Sequence, residues 1–182
     1  MGLDMYLSKK TYVKNWDHQS PEERHQVIVN KGGVPHPHIK PERVSQIEEQ
    51  VAQWRKANHI HRWFVDNVQD GEDNCKEYYV DREKIRELVN LCKQVNEIIR
   101  KAPKKTVEVV TGWQGGKEIK EPHEVYDISS TEIEDLLPTQ SGFFFGGTEY
   151  DEWYIKDNEN TIKMLEPLLE EEGGDFYYQS SW

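Results

Sequence analysis

The chain has 182 residues, of which 35% are hydrophobic and 31% charged, so it is long enough to enclose one core but has few aliphatic side chains to fill it. An aromatic content of 11%, with six Trp and nine Tyr, excludes the disordered class and points to a core of few, large side chains. A formal net charge of −11 disfavours non-specific contact with a nucleic-acid backbone, which depends on Lys and Arg neutralising phosphates, so no direct nucleic-acid binding is expected. The acidity reads either as solubility or as a surface aimed at a basic partner.

Mean hydropathy is −0.91, and no apolar run approaches the ~20 residues of a membrane span, so no membrane association is expected. Cys75 and Cys92 form no C-x-x-C and are expected to be reduced. Met1–Tyr12 carries Asp4 and two lysines where a signal peptide would need apolar residues. The expected localisation is cytoplasmic.

Leu3–Val13 alternates as a strand, and Gln26–Asn30 reads as a second one ending in a hairpin turn at Lys31-Gly-Gly33. Val34–Pro41 has three prolines in eight residues and is expected to be an extended arm. Pro41 is read as opening the longest helix, with Val44, Ile47, Val51, Trp54, Asn58, His61, Val65 and Val68 on one stripe. Asp81 reads as the cap of a second helix with Ile85, Leu88, Val89, Cys92, Val95 and Ile99 on one face, stopping before Pro103. Thr106–Thr111 and Val125–Ile128 read as strands, and Gly112–Lys117 as a turn holding Trp113. Thr131-x-x-Glu134 has capping-box spacing for a short helix before Pro138. Phe143–Phe145 reads as a strand and Gly146-Gly147 as a turn. Thr148 or Asp151 then caps a last helix that runs past Leu165 until Pro167 bends or ends it, and Phe176–Tyr178 reads as a closing strand. The expected fold is α+β: a single domain with an extended Pro/His arm at about 34–41, and a mixed or antiparallel sheet packed by about three long helices.

Two segments hold most of the unusual chemistry. On the expected long helix, Asn58 and His61 fall in the apolar stripe below Trp54, where each needs a hydrogen-bond partner or costs about 1–3 kcal/mol. They either bond within the protein or line a cavity, and Arg55 could reach that cavity with its fork of donors. In the second segment, Gly142, Gly146 and Gly147 permit close approach, while Phe143, Phe145, Tyr150, Trp153 and Tyr154 offer stacking surfaces or simply core. Glu149, Asp151 and Glu152 crowd the same helix start and would repel phosphate. The two segments are expected to meet, within one chain or across a dimer, with Arg55, Asn58, His61, Gln140, Ser141, Phe143, Tyr150, Asp151 and Trp153 binding ligand.

Other motifs are weaker. His59 and His61 point about 200° apart on a helix and cannot share an ion; His36 and His38 lack further ligands at metal spacing, so no metal is expected. Asp66–Asp73 departs from the calcium-loop order. The chain has no P-loop, G-x-S-x-G or strand-borne G-x-G-x-x-G, and no catalytic residue or cofactor is assigned.

Gly2–Leu7, Trp54–Asn58, Trp63–Gly71 and Pro138–Tyr154 together resemble an uncharacterised family of small bacteriophage and prophage accessory proteins. The resemblance brings no activity or catalytic residue; it implies expression in the cytoplasm of an infected bacterium, where such proteins counter host defences. The function expected first is the binding and sequestering of a small nucleotide-like ligand. An acidic inhibitor of a host protein ranks second, and a hydrolase using His61 as acid or base with Arg55 stabilising charge is the third reading. A homo-oligomer is compatible with a pocket completed at a two-fold interface.

Overall fold

Leu3, Met5 and Leu7 alternate with Asp4, Tyr6 and Ser8, and this period of two makes β1 (Asp4–Tyr12), with the apolar set buried on one face. The computed structural model describes residues 2–129 and 131–182. β2 (Asn30–Lys31) and β3 (Val34–Pro35) form a small hairpin. β4 (Gln46–Arg55) runs into α1 (Asn58–Val68), and β5 (Tyr78–Val80) precedes α2 (Arg82–Ile99). β6 (Lys104–Gln114) and β7 (Lys117–Tyr126) make a long hairpin, followed by α3 (Ile133–Leu136), α4 (Glu152–Leu165) and β8 (Asp175–Ser181).

The architecture is α+β. The main sheet has the order β4-β1-β8-β5 with antiparallel neighbours, and one of its faces carries the core. Met5, Leu7, Trp54, Phe176 and Tyr178 meet Phe64 of α1, Leu88 and Val95 of α2, and Ile155 and Leu165 of α4. Large rings sit at the centre of the core, but most of it is aliphatic, contrary to the few, large side chains the composition suggested. Phe64 stacks on Tyr178 with centroids 3.9 Å apart and planes 9° apart, and Trp54 tilts against Phe64 at 5.8 Å.

α2 follows its periodicity: Ile85, Leu88, Val89, Cys92, Val95 and Ile99 are buried, and the Asp81 carboxylate accepts from the Glu83 N–H. Asp151 caps α4 in the same way, and Pro167 lies in a 3-10 turn, Glu166–Leu169, that ends it. No helix among the described residues is long and apolar enough to cross a membrane.

Four expectations are corrected. The helix over residues 42–68 is two elements. Pro41 opens only the 3-10 turn Pro41–Arg43, and residues 46–55 are β4, pairing with β1 through Met5↔Trp54 and Leu7↔Ala52. The open edge of β1 offers backbone partners and apolar neighbours that the weak helical stripe cannot match. In residues 26–31, pairing is confined to Asn30↔Pro35 and Lys31↔Val34 around Gly32 and Gly33, whose φ values of 62° and 82° suit a tight hairpin. Gly112 and Trp113 lie inside β6, and the turn is Gly115-Gly116; Val125 and Tyr126 end β7, and Ile128 lies beyond it. Phe143–Phe145 is a turn, with the Phe145 N–H donating to the Gly142 carbonyl at 3.2 Å and Phe144 at φ 63°.

Candidate ligand cleft

Between the end of β4 and the start of α1 the chain turns through Lys56, whose φ of 61° lies in the left-handed region. The Lys56 N–H donates to the Leu3 carbonyl at 2.8 Å, and its own carbonyl accepts from the Asn58 N–H at 2.9 Å. Gly146 sits against this turn at φ 98°, where a Cβ would lie 3.0 Å from the Lys56 carbonyl oxygen and 3.2 Å from its Cβ. Only glycine fits that approach without displacing backbone.

Asn58 fastens the two segments together. Its amide donates to the Gly147 carbonyl at 2.7 Å and the Phe145 carbonyl at 3.4 Å, and its Oδ1 accepts from the Gln140 N–H at 3.0 Å. The expected meeting of the α1 start with residues 140–147 therefore occurs within one chain. It leaves a cleft of about 350 Å³. Arg55, Lys56, Asn58 and His59 form one wall, Trp153, Tyr154 and Asp157 of α4 face them, and Thr139, Gly146, Gly147, Glu149 and Asp151 complete the lining.

Arg55 and Lys56 are exposed cations; Arg55 has only a loose pair with Asp4, 3.8 Å away. The Trp153 ring is 69% exposed, with Lys156 Nζ 5.0 Å from its centroid. Asp151 accepts from the Trp153 and Tyr154 N–H groups at 2.9 and 3.1 Å, so the α4 start is already capped and attraction for an anion falls to Arg55 and Lys56.

His59 is held from behind. Asn96 Nδ2 donates to the Ile155 carbonyl, leaving its oxygen to accept from Asn158 Nδ2 at 2.9 Å. Asn158 Oδ1 must then accept, and the His59 Nε2–H donates to it at 3.1 Å. The chain of amides fixes the Nε2–H tautomer, and Tyr154 packs on the ring at 4.1 Å. Burial, opposed only by the Asn158 bond, lowers its pKa to about 3, so the ring stays neutral. Asp157, half-buried beside it in the lining, is pushed up to about 6 by burial and then by the Asp151 charge, with Lys156 opposing.

His61 does not belong to the cleft. Its Nδ1 meets the Tyr178 hydroxyl at 2.8 Å, its Nε2 meets Asp73 Oδ2 at 3.0 Å, and Phe145 packs edge-on at 5.5 Å. Imidazole and phenol are both fully buried, and the space is filled. Of the other expected ligand residues, Arg55, Asn58, Asp151 and Trp153 line the cleft, whereas Gln140, Ser141, Phe143 and Tyr150 do not. The Gln140 Oε1 is buried without a partner, Ser141 is exposed, and Phe143 is 84% exposed against Phe144. Tyr150 stands behind Tyr154, with centroids 4.9 Å apart.

The sequence reading missed His59 and Asp157. One signal points to His59: Tyr154, Asn158, Thr161 and Leu165 form the buried stripe of α4, and the buried amide of Asn158 needs a polar partner, which is His59. No protein-family model, curated protein or solved structure matches the chain, so the chemistry of the cleft itself carries the functional reading.

Proposed function

We propose that the protein is a binding module for a small nucleotide-like ligand held between Arg55, Lys56 and Trp153. The observation that carries this reading is the make-up of the cleft lining: two exposed cations, a largely exposed indole, and partly buried carboxylates with a buried neutral imidazole. A flat ring with an anionic tail matches all three. In the setting implied by the resemblance to phage accessory proteins, such binding is sequestration of a nucleotide signal.

The hydrolase reading loses its acid–base group, because His61 is enclosed by Tyr178, Asp73 and Phe145. The acidic 170–175 segment gives a protein inhibitor little specific support, since Glu171 within it pairs with the mostly buried Lys9 at 2.7 Å.

Calorimetry of the full chain against mononucleotides and the matching nucleosides tests the reading. Nucleotides are expected to bind with Kd below about 100 μM, and nucleosides more weakly. Arg55→Ala with Lys56→Ala should remove that difference. Absence of binding by every nucleotide tested at millimolar concentration would sink the proposal. Ligand recovered intact after denaturation separates binding from turnover.

A further inference from the structure

Two residues of the cleft lining carry acceptors that take no side-chain hydrogen bond from the protein among the described residues. The Asp157 carboxylate lies half-buried in the lining, and burial and the Asp151 charge disfavour its ionised form while no hydrogen-bond donor offsets them. His59 is 3% exposed; its Nε2–H is committed to Asn158, so Nδ1 is an acceptor with no protein donor among the described residues. A ligand that donates to both groups adds hydrogen bonds that the protein itself does not make.

We propose that the cleft selects a guanine-type base, stacked on Trp153, that presents adjacent N–H donors to the Asp157 carboxylate and a further hydrogen to His59 Nδ1. This assignment rests on the reading of the cleft as a nucleotide site. Guanine carries an N1–H and a 2-amino group side by side, matching the two oxygens of a carboxylate as a bidentate pair. Adenine sets an acceptor beside its amino group, cytosine does the same, and uracil flanks its one N–H with carbonyls. Each of these aims a lone pair at a carboxylate and is rejected by an unpaired, repulsive contact. Arg55 and Lys56, both exposed, then take the phosphate.

The test is calorimetry of the full chain with guanosine, inosine and adenosine monophosphates near pH 7.5. Guanosine monophosphate should bind about 10-fold or more tighter than inosine monophosphate, which lacks the 2-amino donor, and tighter still than adenosine monophosphate. Asp157→Asn should weaken guanosine monophosphate about 10-fold or more and level the three ligands. A melting curve checks that this variant folds; loss of an uncompensated carboxylate is expected to leave its midpoint unchanged or raised. Equal affinity for the guanine and adenine nucleotides, or an unchanged preference in Asp157→Asn, overturns the guanine assignment and leaves the nucleotide reading standing. Absence of binding by all three overturns the guanine assignment, and absence of binding by the pyrimidine monophosphates as well overturns the nucleotide reading.

Discussion

α1 buries His59 on one face and His61 on another, and the surroundings of the two rings differ in completeness. Around His61 each nitrogen has a partner, Tyr178 on one side and Asp73 on the other, and Asp73 is fixed in turn by the Trp182 indole N–H at 2.9 Å. Around His59 a chain of amides fixes one nitrogen and leaves the other without a protein partner among the described residues, in a residue that lines the cleft. A buried polar group with every bond made is scaffold; one whose supporting network stops short of it is poised for a ligand. On the reading proposed above, the His61 side serves stability and the His59 side serves recognition.

The largest effects should come from breaking the closed side or the Asn58 clamp. His61→Leu strands the fully buried Tyr178 hydroxyl and removes one of the two bonds to the partly exposed Asp73, and is expected to cost about 2 kcal/mol. Nucleotide affinity of the folded variant should be unchanged; urea unfolding and calorimetry on the same sample check both halves. Asn58→Ala removes the clamp between α1 and residues 140–147 and should cost about 2 kcal/mol. Because the Gly146–Gly147 wall depends on that clamp, this variant should lose ligand binding as well.

Asp157→Asn sharpens the contrast through pH. A carboxyl held at about 6 against an ordinary 3.8 binds protons in the fold that the unfolded chain has released, so its contribution falls as pH rises from about 4 to about 6. His59, held at about 3 against 6.5, acts in the opposite sense and lowers stability as pH falls through that window. The two slopes oppose one another in the natural chain. In Asp157→Asn only the His59 slope remains, so acidification from about pH 6 to pH 4 should destabilise the variant more steeply than the natural protein. Near neutrality the variant should be more stable by about 1–2 kcal/mol, less than the full displacement converts to because the group keeps some solvent. Denaturant melts at several pH values read both effects. The smallest stability change belongs to Trp153→Ala, within about 0.5 kcal/mol for a mainly exposed ring, though it should weaken every nucleotide alike by removing the stacking face.

Elements with a strong period and a marked start could be read directly from the residues. β1 alternates cleanly, α2 has an unbroken apolar stripe behind Asp81, and α4 begins at Asp151. β4 could not, because Gln46–Gln50 is exposed and the few apolar residues nearby fit helical spacing as well as strand spacing; pairing with Met5 and Leu7 decided between them. Half of the site was visible for a related reason. Asn58 stood out as a polar residue among apolar ones, and Trp153 and Asp151 as unusual residues at a helix start. His59 and Asp157 gained their roles only through the amide chain and the cleft, which join segments about a hundred residues apart in sequence. His61 drew attention by the same rule as Asn58, but its partners Asp73 and Tyr178 lie on other elements and close the space around it.

The most direct test of the central claim is a nitrogen-detected NMR titration of the histidine rings with guanosine monophosphate near pH 7.5. The unprotonated Nδ1 of His59 should shift as it accepts a ligand hydrogen, with both His61 nitrogens unmoved. A silent His59 at saturating ligand, or a His61 that moves as far as His59, would contradict the account.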